Sequence, residues 1–302
     1  MQNFSEISDT LYTGRDWLNW CAVQFEGAVL FYGHGTSEAF DEALALVMHI
    51  QGIAPADIDI RIDDTINEKN RRKFYDIAVD RIKSRKPLSY LTGEAWFAGL
   101  KFKVDERVLV PRSPFAELIT RDFRPWLNPA SIGKVLDMCT GSGCIAIATA
   151  VQMENVIVDA VDISQAALDL ANENTQLHGV TNRVRLVWSD GFANLGNNIY
   201  DLVLCNPPYV AETEMQALPE EYRYEPALGL EAGDDGLDFV RQFLIDVPQY
   251  LSDNGLVFVE VGSSAETMAK AYPDLPLTWI ELQRGGDGIF MLSKEDLQAL
   301  TR

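Results

Sequence analysis

The chain has 302 residues, of which 47% are hydrophobic and 23% charged, so it can bury the core of one large domain or two ordinary ones. It contains no low-complexity tract and no apolar run near ~18 residues, which excludes a disordered chain and predicts no membrane span. The formal net charge is −20, with −3 in residues 1–130 and −17 in residues 131–302, so the C-terminal part would repel bare nucleic acid.

The cysteines and the N-terminal segment indicate the cellular compartment. Cys21, Cys139, Cys144 and Cys205 form no C-x-x-C pair, which favours buried thiols in a reduced protein and argues against a zinc site. Residues 1–16 are polar and acidic and show no signal-peptide pattern. We therefore expect a cytoplasmic protein without a metal.

Residues 1–88 are predicted to form a small helical domain. Apolar residues recur at three-and-four spacing over 16–27, 37–52 and 67–83, which predicts three amphipathic helices. Residues 61–86 carry nine basic and five acidic side chains. Such a segment is typical of a solvated helix face, and less often of a contact for RNA or an acidic partner.

Residues 89–130 are predicted to link this domain to the rest of the chain. Residues 90–110 have the pattern of a β-hairpin that includes Val108 to Val110, with Gly99 near its turn. Prolines then break the chain repeatedly between residues 111 and 129, around a short helix expected over 115–123. The C-terminal domain is therefore predicted to begin at residue 131.

Residues 131–302 alternate short apolar strands with helices. The predicted strands are 134–138, 156–161, 184–188, 202–205 and 256–261, and the predicted helices are 145–152, 165–178 and 237–251. Repeated β-α units of this kind imply an α/β domain, in which helices cover both faces of a parallel sheet.

Glycines and carboxylates follow the first two predicted strands. The first strand runs into the turn Asp137-Met138-Cys139-Thr140-Gly141-Ser142-Gly143, and the second ends in Asp162, 21 residues after Gly141. In an open α/β sheet, ligands lie at the carboxyl ends of the strands, where glycines admit close approach and a carboxylate binds ribose hydroxyls. These features alone do not separate a dinucleotide from S-adenosylmethionine.

Three details favour S-adenosylmethionine. The glycines do not follow G-x-G-x-x-G, and no basic side chain lies near the turn in sequence to meet a pyrophosphate. Asp137 and Asp190 instead add negative charge, which suits sulfonium and ammonium groups, and Asp190 is a candidate acceptor for the adenine amino group. The predicted cofactor-binding residues are Asp137, Cys139, Thr140, Gly141, Ser142, Gly143, Asp162, Asp190 and Asn206.

The tetrapeptide Asn206-Pro207-Pro208-Tyr209 directly follows the fourth predicted strand. An amide nitrogen is a poor nucleophile because its lone pair is delocalised, so methyl transfer requires acceptors that orient both of its N–H bonds. The Asn206 side chain and the Pro207 carbonyl supply them, the prolines fix the carbonyl direction, and Tyr209 offers an aromatic wall. We predict that Asn206, Pro207 and Tyr209 are catalytic and that all four residues bind substrate, with alignment rather than a strong base accelerating the reaction.

These motifs resemble those of class I methyltransferases that act on amino or amide nitrogens, and the wider pattern resembles the HemK/PrmC family of protein glutamine N5-methyltransferases. The wider pattern lies in Pro111-Arg112, Val161-Asp162-Ile163-Ser164, Glu225-Pro226-Ala227-Leu228 and Gly236-Leu237. The PrmB branch of that family is the most similar, on residues 31–36, 95–97, 108–114 and 137–143. The resemblance extends over nearly the whole chain.

The resemblance implies a Rossmann-like, mostly parallel seven-stranded sheet with an antiparallel last strand, and a helical N-terminal domain that recognises a protein substrate. It implies transfer of the methyl group of S-adenosylmethionine to a glutamine of the third protein of the large ribosomal subunit, leaving S-adenosylhomocysteine. The substrate is expected as free protein or within an assembling ribosomal particle, with residues 61–86 as a candidate contact to rRNA. Phe97 matches an aromatic that packs on the substrate amide. Gly191 stands where related enzymes carry an aromatic against adenine, for which Phe192 is a candidate.

Three alternatives stay open. A release-factor glutamine methyltransferase has the same motifs, although Ser113-Pro114-Phe115 differs from the corresponding stretch of that branch. A DNA adenine or RNA guanine methyltransferase holds a flipped base with the same tetrapeptide, but the acidic C-terminal half argues against it. The third is a ribosome-assembly binding factor whose methylation is incidental. His34, in a turn far from these motifs, is interpreted as structural.

Overall fold

A computed structural model of the chain describes residues 3–283 and 285–298, which divide into two compact units. We call them the helical unit and the sheet unit. The helical unit comprises Met1–Ala95, Val104–Glu106 and Pro219–Tyr224, and the sheet unit comprises Trp96–Lys103, Arg107–Leu218 and Glu225–Arg302. This division differs from the predicted boundaries 1–88, 89–130 and 131–302, and the roles given to those domains stay predictions.

The helical unit contains the three predicted helices with slightly shifted ends. Its helices are α1 (Phe4–Ile7), α2 (Gly14–Gly27), α3 (Ala39–Gln51), α4 (Ile58–Arg61), α5 (Glu68–Ser84) and α6 (Leu88–Thr92). Side chains of Thr13 and Asn67 accept backbone N–H bonds at the starts of α2 and α5, and Gly52 ends α3 in the left-handed region. The apolar stripes meet in a core that includes Trp17 and Phe74, both fully buried.

A cluster of charged side chains lies inside the helical unit. Arg81 of α5 has a side chain only 1% exposed and pairs with Glu42 of α3 at 2.5 Å and with Glu221 at 3.6 Å. Arg85 pairs with Glu221 at 2.7 Å, and Glu221 also accepts the backbone N–H of Phe31 at 3.0 Å. Glu221 therefore explains why Pro219–Tyr224 belongs to the helical unit, although it lies far away in sequence.

The sheet unit contains most of the strands. Its strands, including β1 at the unit boundary, are β1 (Glu94–Phe97), β2 (Leu100–Lys103), β3 (Lys134–Met138), β4 (Ile157–Asp162), β5 (Val184–Trp188), β6 (Tyr200–Cys205), β7 (Leu251–Glu260), β8 (Thr278–Trp279) and β9 (Ile289–Ser293). Its helices are α7 (Phe115–Thr120), α8 (Cys144–Gln152), α9 (Gln165–Leu177), α10 (Glu212–Met215), α11 (Asp238–Asp246), α12 (Ala265–Ala271) and α13 (Lys294–Gln298). The hairpin prediction was wrong for Val108 to Val110, which follow the hairpin as a non-strand segment; the Val110 N–H donates to the Glu225 side chain instead of a strand partner.

Seven strands form one sheet in the order β5-β4-β3-β6-β7-β9-β8. The strands from β5 to β7 pair in parallel, and β9 is antiparallel to both of its neighbours. The expected mostly parallel seven-stranded sheet with an antiparallel last strand is confirmed. Its parallel register brings the carboxyl ends of β3, β4, β6 and β7 to one edge, as expected for a ligand-binding edge.

Within the described residues, no single helix is both long and apolar enough to cross a membrane. Ala39–Gln51 and Pro55–Arg61 meet the length and composition criteria only together, as two pieces bent by 96°.

Candidate active site

A cavity of about 260 Å³ opens at the carboxyl edge of the sheet, entirely within the sheet unit. Most of the predicted site residues line it. They are Cys139, Thr140, Gly141, Ser142, Asp162, Asp190, Asn206, Pro207, Pro208 and Tyr209. The structure thus brings together side chains that are up to about 70 residues apart in sequence, because each follows a strand that ends at the same edge.

The turn from β3 to α8 is built from left-handed backbone. Cys139, Gly141 and Gly143 have φ of 64°, 53° and 79°. An added Cβ at Gly143 would lie 3.2 Å from the Cβ of Ala171, so this glycine permits the close packing of α8 and α9. An added Cβ at Gly141 would meet open space, so that glycine leaves the cavity side of the turn clear.

Asp137 supports this turn from beneath. Its Oδ2 accepts the Thr140 hydroxyl at 2.6 Å and the Ala146 N–H, in the first turn of α8, at 3.0 Å. Its Oδ1 is buried and has no hydrogen-bond partner in the described structure. Burial raises the pKa of Asp137 to about 7. Asp137 and Gly143 are outside the cavity lining, so their predicted cofactor contact stays a prediction.

Asp162 ends β4 and connects two loops of the cavity. Its Oδ2 accepts the Gly141 N–H and its Oδ1 accepts the Ser164 N–H, both at 2.8 Å. Burial raises the pKa of Asp162, and the backbone N–H groups oppose that rise by stabilising the ionised form. A carboxylate so fixed presents its remaining lone pairs in a constant direction.

Asp190 and Gly191 follow β5 at the cavity. Asp190 is exposed, and a Cβ added at Gly191 would meet open space. Phe192 is buried and stacks on Tyr250, with ring centroids 4.5 Å apart. The structure therefore places the candidate aromatic Phe192 in the core, and Gly191 leaves space at the cavity wall.

The tetrapeptide leaves the end of β6 and is held closely by its neighbours. The Tyr209 carbonyl accepts the Ser264 hydroxyl at 2.8 Å. An added Cβ at Gly262 would lie 2.5 Å from the Tyr209 ring, and one at Gly236 would lie 2.4 Å from its carbonyl oxygen. Side chains at these two positions would displace Tyr209, so the glycines make its position possible.

The site includes a carboxylate that the sequence prediction missed. Glu260, the last residue of β7, is 4% exposed, lines the cavity and accepts the Tyr209 hydroxyl at 3.2 Å. It also accepts the Ser113 hydroxyl at 2.5 Å, and burial raises the pKa of Glu260 to about 7. A carboxylate that ends an apolar strand of an α/β sheet is the signal that could have identified it.

A second carboxylate fixes the segment Arg107–Ser113, which lines one side of the cavity and is called the wall segment below. Glu225 is 5% exposed and accepts the Val110 N–H at 2.9 Å and Arg112 through two bonds, at 2.5 and 2.7 Å. Arg107 at the other end of the segment pairs with Glu173 at 3.2 Å. Both arginines of the cavity therefore already have carboxylate partners.

Phe97 occupies a different position from the other predicted site residues. It lies on β1, is 4% exposed and packs edge-on against Phe102 in the core, with centroids 6.3 Å apart. It is outside the cavity lining, so its predicted contact with a substrate amide stays a prediction. His34, in the helical unit, is buried with its ring 4.6 Å from that of Tyr222.

The cavity residues fit S-adenosylmethionine. Asp162 and Asp190 of the lining offer carboxylates for ribose and cationic groups. Asp137 lies outside the lining, and its buried Oδ1 has no hydrogen-bond partner in the described residues. Gly141 and Gly191 leave space where side chains would narrow the cavity. In residues 3–283 and 285–298, no group of three or more His, Cys, Asp or Glu side chains is arranged to hold a metal ion.

Comparisons with known proteins agree with this geometry. Residues 120–221 match the methyltransferase small domain family. A ribosomal protein uL3 glutamine methyltransferase from Francisella tularensis is 41% identical over 98% of this chain and 95% of its own length. The protein of the same name from Xanthomonas campestris is 46% identical over 97% and 94%.

The solved structures support the fold. The hMettl16 catalytic domain, in complex with a MAT2A 3′UTR hairpin, matches 76% of this chain and 84% of its own, with a TM-score of 0.51. Its identity of 15% makes this a similarity of fold alone.

Proposed function

This chain belongs to the ribosomal protein uL3 glutamine methyltransferases, and we propose that its cavity transfers the methyl group of S-adenosylmethionine to a glutamine side-chain nitrogen of uL3. The carrying observation is that Asn206-Pro207-Pro208-Tyr209 lines the same cavity as the glycine turn and Asp162. One end of the cavity suits the cofactor and the other suits a planar amide.

Different residues of the cavity have different roles in this reaction. S-adenosylmethionine, when bound, supplies a methyl group on a cationic sulfur. The turn of Cys139 to Gly143, with Asp162 and Asp190, would hold the cofactor. The Asn206 side-chain oxygen and the Pro207 carbonyl accept the two N–H groups of the glutamine amide, so its lone pair is directed away from both. The Tyr209 ring bounds the amide plane, and the extra proton leaves to water after methylation.

The finer assignments are part of the same proposal. The helical unit recognises the protein substrate, which is free uL3 or uL3 in an assembling particle. A ribosomal protein as substrate supports a cytoplasmic location. The methyl group of a sulfonium ion is already activated for transfer, and this supports a reaction that needs no metal. Contact between residues 61–86 and rRNA is the weaker part, because Arg72 and Arg81 of that segment pair with carboxylates of the chain.

Tritium-labelled S-adenosylmethionine tests the function directly. The enzyme is offered unmethylated uL3, release factors, and rRNA or DNA in separate reactions, and mass spectrometry locates the label. Label on a uL3 glutamine is the expected result. Label on a release factor would contradict the assignment of uL3 as the substrate. Label on nucleic acid would show that the tetrapeptide binds a base.

Asn206→Ala tests the assigned chemistry in the same assay. We expect kcat to fall by roughly 10²-fold or more, the usual effect of removing one preorganised polar contact. Turnover near that of the wild type would remove Asn206 from the mechanism. If the protein were mainly an assembly factor, the variant would lose methylation and keep full assembly activity in cells.

A further inference from the structure

Glu260 lies beside the methyl-transfer tetrapeptide because of strand register. Cys205 of β6 is the register partner of Val259 in β7. Asn206 directly follows β6 and Glu260 is the last residue of β7, so they reach the cavity from adjacent positions, and both line it. Glu260 is thus a buried carboxylate next to the residue that orients the substrate amide.

Both oxygens of Glu260 accept hydroxyl protons from two different walls of the cavity. Tyr209 donates to Oε1 at 3.2 Å, and Ser113 donates to Oε2 at 2.5 Å. The Ser113 oxygen also accepts the Phe115 N–H at 3.1 Å, which leaves its own proton for Glu260. Tyr209 belongs to the tetrapeptide and Ser113 ends the wall segment, so one side chain joins the two.

Other contacts hold the two walls at different points. The wall segment is otherwise bound to Glu225, through Val110 and Arg112. The Tyr209 carbonyl is bound to Ser264. These contacts fix the middle of the wall and the backbone of the tetrapeptide, whereas Glu260 sets the distance between the Ser113 and Tyr209 side chains.

We propose that Glu260 is a positioning residue for methyl transfer, which holds the Tyr209 ring and the wall segment at a fixed separation across the cavity by accepting both hydroxyls. The inference rests on the proposed function, because it concerns the alignment of the amide against Tyr209. Positioning of this kind affects the rate of the chemical step more than cofactor binding.

The conservative variant Glu260→Gln tests this role and preserves side-chain volume. Tyr209 and Ser113 donate to different oxygens of Glu260, and a glutamine replaces one of these oxygens with an NH₂ donor, so one of the two hydroxyls loses its acceptor. We expect kcat for uL3 methylation to fall roughly 10-fold, with the KM and Kd of S-adenosylmethionine within about twofold of wild type. The matched control is Glu117→Gln, a buried carboxylate of the same unit outside the cavity, which should leave kcat within about twofold.

A double-mutant cycle separates positioning from general loss of structure. Tyr209→Phe removes one of the two hydroxyls, so Glu260→Gln should have little further effect on kcat in that background, within about twofold. Independent, multiplicative losses in the double variant would overturn the proposal. A kcat for Glu260→Gln equal to wild type, or an equal loss in Glu117→Gln, would overturn it as well.

Hydrogen exchange of the free enzyme gives a readout that needs no substrate. Amides of the wall segment should exchange several-fold faster in Glu260→Gln and in Ser113→Ala, and at the wild-type rate in Glu117→Gln. Unchanged exchange in Glu260→Gln would refute the connection. If the wild type failed to methylate uL3 while this pattern held, the proposed substrate would be wrong and the connection between the two walls would stand.

Discussion

The buried carboxylates of the helical unit and three of those in the sheet unit have different partners. In the helical unit, Glu42 and Glu221 face the guanidinium groups of Arg81 and Arg85. In the sheet unit, the donors to Asp137, Asp162 and Glu260 are hydroxyl and backbone N–H groups. The charges that hold α3 and α5 together are compensated within the chain, whereas these three carboxylates are solvated by neutral donors. Glu225 of the sheet unit, which pairs with Arg112, follows the pattern of the helical unit.

This difference separates the carboxylates that are ion-paired within the chain from those without a hydrogen-bonded cation. Burial raises the pKa of Asp137 and of Glu260 to about 7, since no guanidinium is hydrogen-bonded to either in the described residues. An uncompensated carboxylate costs stability when ionised, and it also attracts a cation. The cavity lining includes Asp162, Asp190 and Glu260, and we interpret this acidic lining as suited to the cationic groups of S-adenosylmethionine.

Removing the internal cation of the helical unit should have the largest effect. Arg81→Met leaves Glu42 buried without its partner, which is expected to lower the free energy of unfolding by about 3–5 kcal/mol. Urea unfolding followed by circular dichroism measures the change. Arg72→Met is the control, because Arg72 pairs with Asp76 on the surface with side chains 58% and 54% exposed, and it should cost about 0.5 kcal/mol or less. Equal effects of the two variants would contradict the comparison.

The stability that Asp137 contributes to the sheet unit should depend on pH. Because the pKa of Asp137 is raised to about 7 from its ordinary 3.8, its contribution is fully present below pH 4 and is lost as pH rises through 7. Relative to Asp137→Asn, the wild type should lose up to about 2–4 kcal/mol of unfolding free energy over this range. Saturating S-adenosylmethionine should reduce the loss. Parallel pH curves for the two proteins would show that Asp137 does not titrate in this range.

Elements with a strong local pattern could be predicted from the sequence. Strands β3 and β5 begin and end where apolar runs do, and the glycine turn, Asp162 and the tetrapeptide follow strand ends, so topology alone brings them together. These residues meet because parallel strands end at the same edge of a sheet, so their proximity can be predicted without knowing any contact between distant segments.

The remaining features depend on contacts between distant segments. Glu260 acquires its role only when Ser113, 147 residues away, reaches it. The wall segment has a strand-like apolar pattern, but Glu225 takes the Val110 N–H and prevents strand pairing. The substrate contact of Phe97 is predicted from the family resemblance alone. An aromatic residue in a strand is equally consistent with burial in the core and with a substrate contact.

Cofactor affinity gives a sharper test of the carboxylates at the cavity. Asp162→Asn removes one charged acceptor, and we expect the Kd of S-adenosylmethionine to rise roughly 10–100-fold, as for a charged hydrogen bond. Calorimetry measures it. Asp201→Asn is matched, because Asp201 also accepts two backbone N–H bonds, from Gly133 and Lys134, but lies outside the cavity. A similar loss in both variants would mean that Asp162 acts through the fold alone.

Surface cations of the helical unit should have the smallest effect. Arg72 pairs with Asp76, which offsets its charge, and Lys73 lies 3.1 Å from His49 on the exposed surface. We expect Arg72→Gln with Lys73→Gln to slow association with uL3-containing ribosomal particles by roughly threefold or less, and only at low salt, because exposed charges are screened. Stopped-flow association over a series of salt concentrations measures this, with Lys270→Gln in the sheet unit as the control cation. A larger loss that persists at high salt would mean that these residues pack against the partner, and that the helical unit binds it by surface contact as well as by charge.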